Sequence, residues 1–162
     1  MDHPIDWASI LKILKIQTLS ASISGNNFEV TDVEGFKYLI KFGFGLSLKS
    51  NLIRVIVKLR VLAKSKAQEG SEANCEMTIS FVYHLENLAD FVDHEKKEVD
   101  ANLGDVLVSI SFSTSRGIFN AFVQGSVFQH FIFPIVNPKD IVEGVEGVSF
   151  GEDEIGDLRM DD

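Results

Sequence analysis

The chain has 162 residues, of which 45% are apolar and 24% are charged, and its formal net charge is −9. This length and composition are typical of one soluble globular domain with its own core. The acidic balance argues against a nucleic-acid-binding protein, which would present a basic surface to phosphates. Its apolar runs are short and its first residues are polar, so we expect no membrane insertion and no signal peptide.

The negative charge is concentrated towards the C-terminus. Residues 143–162 hold eight acidic residues against Arg159, a net charge of −7, whereas residues 1–142 carry −2. We therefore predict one domain over residues 1–142 and a disordered, solvating acidic tail over residues 143–162. A docking role for this tail is the less favoured alternative. The single cysteine, Cys75, excludes an intrachain disulfide and indicates a reducing cytoplasm.

Four strands are predicted in chain order. The first covers residues 13–23, and its alternation slips near Leu19, which indicates a β-bulge. The other three have an apolar residue at every second position over 36–48, 53–63 and 75–83, with mostly polar or small residues between. Period-two alternation is typical of half-buried strands, and Cys75 falls on a buried position. Short connections favour an antiparallel sheet, with a meander as one arrangement.

Five basic residues would share the outward face of this sheet: Lys37, Lys41, Lys58, Arg60 and Lys64. A solvated face is the favoured interpretation. The functional alternative is a docking surface for an acidic segment, including the chain's own tail.

Residues 86–105 are acidic and predict a loop with a helical turn. The stretch that follows, 104–140, holds six phenylalanines interleaved with serine and glycine. Alternating serines from Ser109 to Ser115 favour a strand. A helix over 105–124 with Gly125 as C-cap is the alternative, and it would align small residues that permit close helix packing. Composition alone leaves both open.

No catalytic grouping is visible in the sequence. The four histidines have no metal-ligand spacing with one another or with Cys75. Gly43-Phe44-Gly45 lies within a strand pattern, so it is not a phosphate loop. Ser113 and Ser115 have no base at a recognisable spacing. We therefore predict a protein that is not an enzyme and needs no metal or cofactor.

The C-terminal part resembles the SecB family of export chaperones. In that family a long helix with a central Arg precedes a segment of the form V-x-x-x-x-F-x-x-L-x-L-x-P-V-N, and a second helix follows. Here Arg116 occupies the central place, and Pro134 stands one place early. The segment is matched by Val123, Phe128, Phe131, Phe133, Val136 and Asn137. The resemblance is to a divergent branch of the family and spans about residues 11–142.

The resemblance implies an α+β fold, with a four-stranded antiparallel sheet and two C-terminal helices packed on one face. It also implies a homo-oligomer, either a dimer or a tetramer built as a dimer of dimers through the long helix. The implied oligomer interface comprises Ile110, Ser113, Gly117 and Ala121.

The implied function is that of an ATP-independent holdase. Such a chaperone binds unfolded polypeptides, such as preproteins during export or an antitoxin in toxin–antitoxin control. By position, the client-binding groove is assigned to Phe28, Val30, Phe36, Phe128, Phe131, Ile132, Phe133 and Pro134. Simple core packing is the alternative for each of these phenylalanines. The alternative function is a small-molecule or lipid-binding α+β domain with an aromatic-lined pocket.

The outer sheet face departs from the family pattern. In the family this face is acidic and docks a basic zinc-binding tail of the SecA motor. Here Ser20 and Ser24 stand at acidic positions of the first strand, and Glu76 on the fourth keeps its charge. Glu76 is therefore the candidate motor-docking residue. The surrounding lysines reverse the sign of the face and disfavour docking in the usual way, because like-sign faces repel.

Overall fold

The structure, a computed structural model, describes residues 4–25, 28–96, 98–137 and 148–150. The chain begins with a one-turn helix and four long strands: α1 (Trp7–Ile10), β1 (Leu11–Gly25), β2 (Val33–Ser47), β3 (Leu52–Ser65) and β4 (Glu72–Leu85). A small hairpin, a long helix and a short strand follow: β5 (Val92–Asp93), β6 (Glu98–Val99), α2 (Ala101–Phe122) and β7 (Val148–Phe150). Single turns of 3₁₀ helix cover Val30–Asp32 and Leu88–Phe91.

The four long strands form an antiparallel sheet, as predicted, but their order differs from a meander. The spatial order is β1-β4-β3-β2-β7, so β1 pairs with β4 rather than with β2. The meander arrangement is therefore wrong for the first strand. The connection over 26–32 is long enough to cross the roughly 14 Å that three strand spacings occupy. β1 consequently becomes an edge strand.

Side chains alternate across the strands as the sequence predicts. The core takes the even positions of β2 and the odd positions of β3 and β4, and Cys75 lies in it as a buried free thiol. Register shifts in β1 occur on either side of Leu14 and of Leu19. The second of these confirms the predicted bulge, which keeps the apolar residues of β1 on the core-facing side despite the slip in alternation.

Residues 101–122 form a helix, not the strand that the serine alternation favours. Its N-terminus is capped by the Asp100 carboxylate, which accepts hydrogen bonds from the N–H groups of Asn102 (2.9 Å) and Leu103 (3.1 Å). Such a cap satisfies donors that the helix itself leaves free. The helix ends at Phe122, two residues before the predicted end at residue 124, and Gly125 adopts a φ of 78° in the turn beyond it.

One face of α2 packs on β3 and β4. The buried side chains recur at spacings of three and four: Leu103, Leu107, Val108, Ser111, Phe112, Ser115 and Phe119. This is the period of an amphipathic helix, so the serines divide between two faces rather than across a strand. The second predicted helix would begin after residue 137 and lies outside the described residues. Within the predicted acidic tail, residues 148–150 form β7, which pairs in parallel with β2.

Candidate functional site

The aromatic segment, residues 126–137, crosses the sheet over β2. Its entry is a tight turn in which the Ser126 hydroxyl donates to the Val123 carbonyl (2.7 Å) and accepts the Phe128 N–H (3.1 Å). Beyond the turn, the Phe131 ring lies 5.2 Å from the ring of Phe36 on β2. These contacts place the segment beside α2, on the same face of the sheet.

The rings of this segment fill the space between β2 and α2. The Phe133 ring lies 4.9 Å from both Phe119 and Phe131 and 5.8 Å from Tyr38, measured between ring centroids. Tilted and edge-on rings at these separations stabilise one another beyond the area that they bury. The aromatic segment therefore closes one end of the hydrophobic core.

The eight residues assigned to a client groove differ in their exposure. Phe128, Phe131 and Phe133 are buried, which is the core packing considered as their alternative. Ile132 and Pro134, between or beside them, are exposed, and Ile132 retains 65% of its surface. Phe28, Val30 and Phe36 are half-buried. Within the aromatic segment, the exposed apolar surface therefore comes from Ile132 and Pro134, which alternate with the buried rings of Phe131 and Phe133.

A second apolar surface, which the sequence analysis did not assign to any site, lies on β1. Ile13, Ile16 and Ile23 are 47%, 43% and 42% exposed. The register places them opposite Tyr83, Phe81 and Cys75, which are core residues of β4. Directly paired residues lie on the same face of a sheet, so these isoleucines lie on the core-facing side of the sheet, beyond the strands that α2 covers. We call Ile13, Ile16 and Ile23 the apolar row.

The apolar row is exposed because of where α2 lies. The helix packs on β3 and β4, and the aromatic segment lies over β2, so no described element covers β1. Leu14 and Leu19, at the two register shifts, are also about half exposed (48% and 45%). Within the described residues β1 pairs only with β4, which leaves its other edge free for a further strand.

A local signal for this surface exists in the sequence. The apolar/polar alternation of β1 breaks near Leu19. The strand therefore carries more apolar residues than one half-buried face needs. A period-two pattern identifies an apolar face without identifying what covers it. The strand order and the position of α2 decide that question.

The predicted oligomer interface lies on the outer side of α2. Ser113, Gly117 and Ala121 are exposed and Ile110 is half-buried. A Cβ added at Gly117 would meet no atom within 4 Å, so the described chain leaves this side of the helix open. Phe122, at the end of the helix, is 39% exposed. The residues of the stripe are thus brought to one accessible surface.

Arg116 lies beside that surface, and one of its hydrogen-bond donors has no partner among the described residues. Its guanidinium carbon lies 5.9 Å from the centroid of the Phe112 ring, within reach of a cation–π interaction. Its Nε atom is buried and has no hydrogen-bond partner among the described residues, and the same holds for Ser115 Oγ. Buried donors without partners are rare in proteins, so this part of α2 has hydrogen-bonding capacity left over.

Glu76, the candidate motor-docking residue, lies on the opposite face of the sheet. Its Oε1 atom lies 3.2 Å from Nε of Arg60, and both side chains are about half exposed. Arg60 also donates from Nε to Oδ1 of Asn74 at 3.0 Å. The carboxylate is thus engaged with a basic neighbour on the same face.

The Cys75 thiol and the Tyr83 hydroxyl are both buried, and burial favours their protonated forms. Burial, with a smaller contribution from Glu76, raises the pKa of the Cys75 thiol to about 11. Burial also raises the pKa of Tyr83, although its hydrogen bond to Ser111 opposes this rise. Residues 4–25, 28–96, 98–137 and 148–150 contain no group of three or more His, Cys, Asp or Glu able to hold a metal ion. None of the helices described there combines the length and apolar character needed to cross a bilayer.

Comparisons with known proteins add a likeness to solved structures. No protein-family model and no curated protein matches the chain. A solved structure of the Mycobacterium tuberculosis Rv1957 SecB-like chaperone, in complex with a ChAD peptide from the Rv1956 HigA1 antitoxin, matches with a TM-score of 0.55. The two chains are 13% identical, and the match covers 80% of this chain and 92% of that chain. The sheet and long helix of this protein therefore have a SecB-like fold.

Proposed function

We propose that this protein is an ATP-independent holdase that binds extended apolar stretches of non-native polypeptide. The observation that carries the proposal is the apolar row on β1, whose three isoleucines are 42–47% exposed on the core-facing side of the sheet. The SecB-like fold supports it, since the similar solved structure is a chaperone that holds an antitoxin peptide.

The geometry of β1 suits a client of unspecified sequence. An extended polypeptide can add to the free edge of this strand through backbone hydrogen bonds, which do not depend on side-chain identity. Alternate client side chains would then contact the apolar row and the adjacent Leu14 and Leu19. Contiguous apolar surface of more than a few hundred Å² is unusual on a monomeric protein and marks an interaction site.

The predicted groove over β2 belongs to the same proposal. Its exposed members, Ile132 and Pro134, together with Ile135, provide apolar surface at the side of the sheet opposite β1. Phe28, Val30 and Phe36 line the approach to it from the first connection. A long client that contacts both regions would gain affinity from two weak contacts on one chain.

The cellular setting that fits best is the cytoplasm, with either preproteins or an antitoxin as clients. The antitoxin setting is favoured by the peptide bound in the similar solved structure. Docking to a SecA-type motor in the family's usual way is disfavoured, because Glu76 is paired with Arg60 and surrounded by bases.

We also propose a homo-oligomer, either a dimer or a dimer of dimers, through the outer side of α2. The stripe of Ile110, Ser113, Gly117 and Ala121 permits close approach of a second helix. Mass measurement by light scattering tests this assembly directly.

The holdase activity is tested by diluting a chemically unfolded client into buffer without ATP and following its light scattering. We expect this protein to suppress aggregation at substoichiometric amounts of its assembled form. A lack of any effect in molar excess over two unrelated clients would show that the proposal is wrong.

The alternative is a small-molecule or lipid-binding domain with an aromatic-lined pocket. The rings of the aromatic segment pack on one another and on α2, with centroids as close as 4.9 Å, so they occupy the space that such a pocket would need. This favours the holdase. Native mass spectrometry separates the two functions, because a monomer that carries a stoichiometric small molecule would favour the pocket.

A further inference from the structure

The two edges of β2 differ in what pairs with them. The inner edge pairs with β3 along the whole strand. The outer edge pairs with β7 over three residues, Phe44, Gly45 and Leu46, and this pairing is parallel. Among the described residues, no strand pairs with residues 33–40 at the outer edge. A strand edge of this kind is a template on which another extended segment can pair.

Apolar surface flanks this edge on both faces of the sheet. Tyr38 and Leu39 are 47% and 48% exposed, and as successive residues of a strand they point to opposite faces. On the core-facing side, the ring centroid of Phe133 lies 5.8 Å from that of Tyr38. The aromatic segment lies there, with Ile132 65% and Ile135 89% exposed. A strand added to this edge would therefore meet apolar surface with the side chains of both its faces.

β7 shows what kind of segment this edge accepts. It is a short extended run in which one polar residue lies between two apolar ones, Val148, Ser149 and Phe150. It reaches β2 from a distant part of the sequence and pairs with it in register. Strand addition depends on backbone hydrogen bonds, so it requires extension rather than a particular sequence. An extended segment of a non-native client meets the same requirement.

Three features weaken the pairing of β7 with this edge. β7 has three residues, whereas strands in globular proteins usually have about five or six. A parallel pair is slightly less stable per residue than an antiparallel one. Gly147 and Gly151 flank β7 in the sequence, and glycine loses more conformational freedom on ordering than any other residue, which opposes a longer strand. A client segment that pairs over more residues can therefore displace β7.

We propose that the outer edge of β2 is a strand-addition site for client segments, and that β7 is a competitor for it supplied by the chain itself. This inference rests on the proposed holdase function and concerns the regulation of client binding. A client pairs with residues 33–40 and displaces β7 as its pairing extends over residues 44–46. Because β7 is tethered, it competes at an effective concentration on the order of millimolar. Short extended segments are thereby excluded, whereas a long unfolded chain is accepted.

A reversible lock on β7 tests the proposal in the full chain. Gly45 and Ser149 are register partners, and neighbouring strands lie about 4.8 Å apart, within the Cα separation that a disulfide spans. The variant Gly45→Cys/Ser149→Cys is expected to form an intrachain disulfide on mild oxidation, while Cys75 stays buried and unreacted. The probe is fluorescent α-lactalbumin, reduced and carboxymethylated so that it stays unfolded and carries no thiol. Fluorescence anisotropy measures its binding.

We expect oxidation of the double variant to weaken binding of the probe, and reduction to restore the affinity of the unaltered protein. Gly45→Ser, which adds a side chain of similar size without a thiol, is the control and should bind equally with and without oxidant. Equal binding by the locked and reduced forms would overturn the proposal and leave β7 as a cover for the strand edge. A covalent dimer in place of the intrachain link would overturn the assignment of β7 to its own chain. Failure of the unaltered protein to bind the probe at all would instead refute the holdase function.

Hydrogen exchange of the unaltered protein gives a second measurement that does not depend on the lock. On addition of the same probe, amide exchange is expected to slow over residues 33–40 and to quicken over residues 148–150. Slower exchange in β2 without faster exchange in β7 would show that the two segments do not compete, and would overturn the displacement. Unchanged exchange over residues 33–40, with the probe bound, would overturn strand addition at this edge.

Discussion

The hydroxyl oxygens of Tyr83 and Ser111 lie 2.7 Å apart in the buried layer between β4 and α2. Neither residue has exposed surface, so this hydrogen bond is formed away from water. It links the sheet to the helix at one defined position, because a shift of α2 along β4 would leave two buried hydroxyls without partners. This hydrogen bond thus helps to set the position of the helix along the sheet, within an interface that is otherwise apolar.

Tyr83→Phe is expected to lower the free energy of unfolding by about 1–3 kcal/mol, since it leaves Ser111 Oγ buried without its partner. Denaturant titration measures this change. The double variant Tyr83→Phe/Ser111→Ala should lose less than the sum of the two single variants, because it leaves no orphaned hydroxyl. Strict additivity would show that the hydrogen bond does not stabilise the fold.

The thiol of Cys75 is expected to be unreactive in the native protein at neutral pH, because its pKa is raised to about 11 and its side chain is buried. The unfolded chain, with an ordinary thiol pKa, loses this proton at lower pH than the native protein does. The contribution of the protonated Cys75 thiol to the free energy of unfolding is therefore fully present below about pH 9. It decreases as the pH rises towards about 11. Thiol titration with and without denaturant, and thermal unfolding against pH, check both statements. Cys75→Ala should weaken the alkaline loss; an unchanged profile would assign that loss to other groups.

Phe133→Ala is expected to destabilise the protein by about 3–5 kcal/mol, because it empties the space between Tyr38 and Phe119. Ile135→Ala, two residues further along the aromatic segment, should change stability by less than about 0.5 kcal/mol, since Ile135 is 89% exposed. Chemical denaturation of both variants measures the contrast. Similar costs for the two substitutions would contradict the packing of this segment.

Ile16→Ser is expected to weaken suppression of client aggregation while the fold stays intact, because Ile16 contributes apolar surface that is 43% exposed. The matched control is Gln17→Ser. Gln17 is an exposed neighbour on the same strand. It pairs with Ser80 and therefore lies on the face of the sheet opposite to the apolar row. The aggregation assay, with circular dichroism to verify folding, compares the two. An equal loss in both variants would remove the apolar row from the binding site.

Gly117→Ala separates the stability of the subunit from its assembly. In the open environment of this glycine a methyl group meets nothing, and alanine favours a helix by up to about 1 kcal/mol. We therefore expect a more stable subunit but a weaker oligomer, because the added Cβ separates two closely packed helices. Light scattering at several protein concentrations measures the assembly. An unchanged association constant would place the interface elsewhere.

Much of the sheet is predictable from local patterns. Alternation identifies the core-facing side of β2, β3 and β4, the slip near Leu19 indicates a bulge, and Cys75 falls on a buried position. These features follow from the pleat of a strand, in which successive side chains point to opposite faces. The same rule misreads residues 109–115, where alternating serines belong to a helix whose buried face includes Ser111 and Ser115.

The sequence by itself therefore determined the strands β2, β3 and β4 and which side of each is apolar, because these depend on backbone geometry within a few residues. Only the tertiary structure decided which apolar side chains stay exposed. Ile132 and Phe131 are neighbours of similar hydrophobicity, yet one is 65% exposed and the other 7%. Ile13, Ile16 and Ile23 of β1 lie on the core-facing side of the sheet but remain exposed, because they lie past the edge of α2. Burial depends on which element lies over a face, and that follows from strand order and helix placement, which involve residues far apart in the chain.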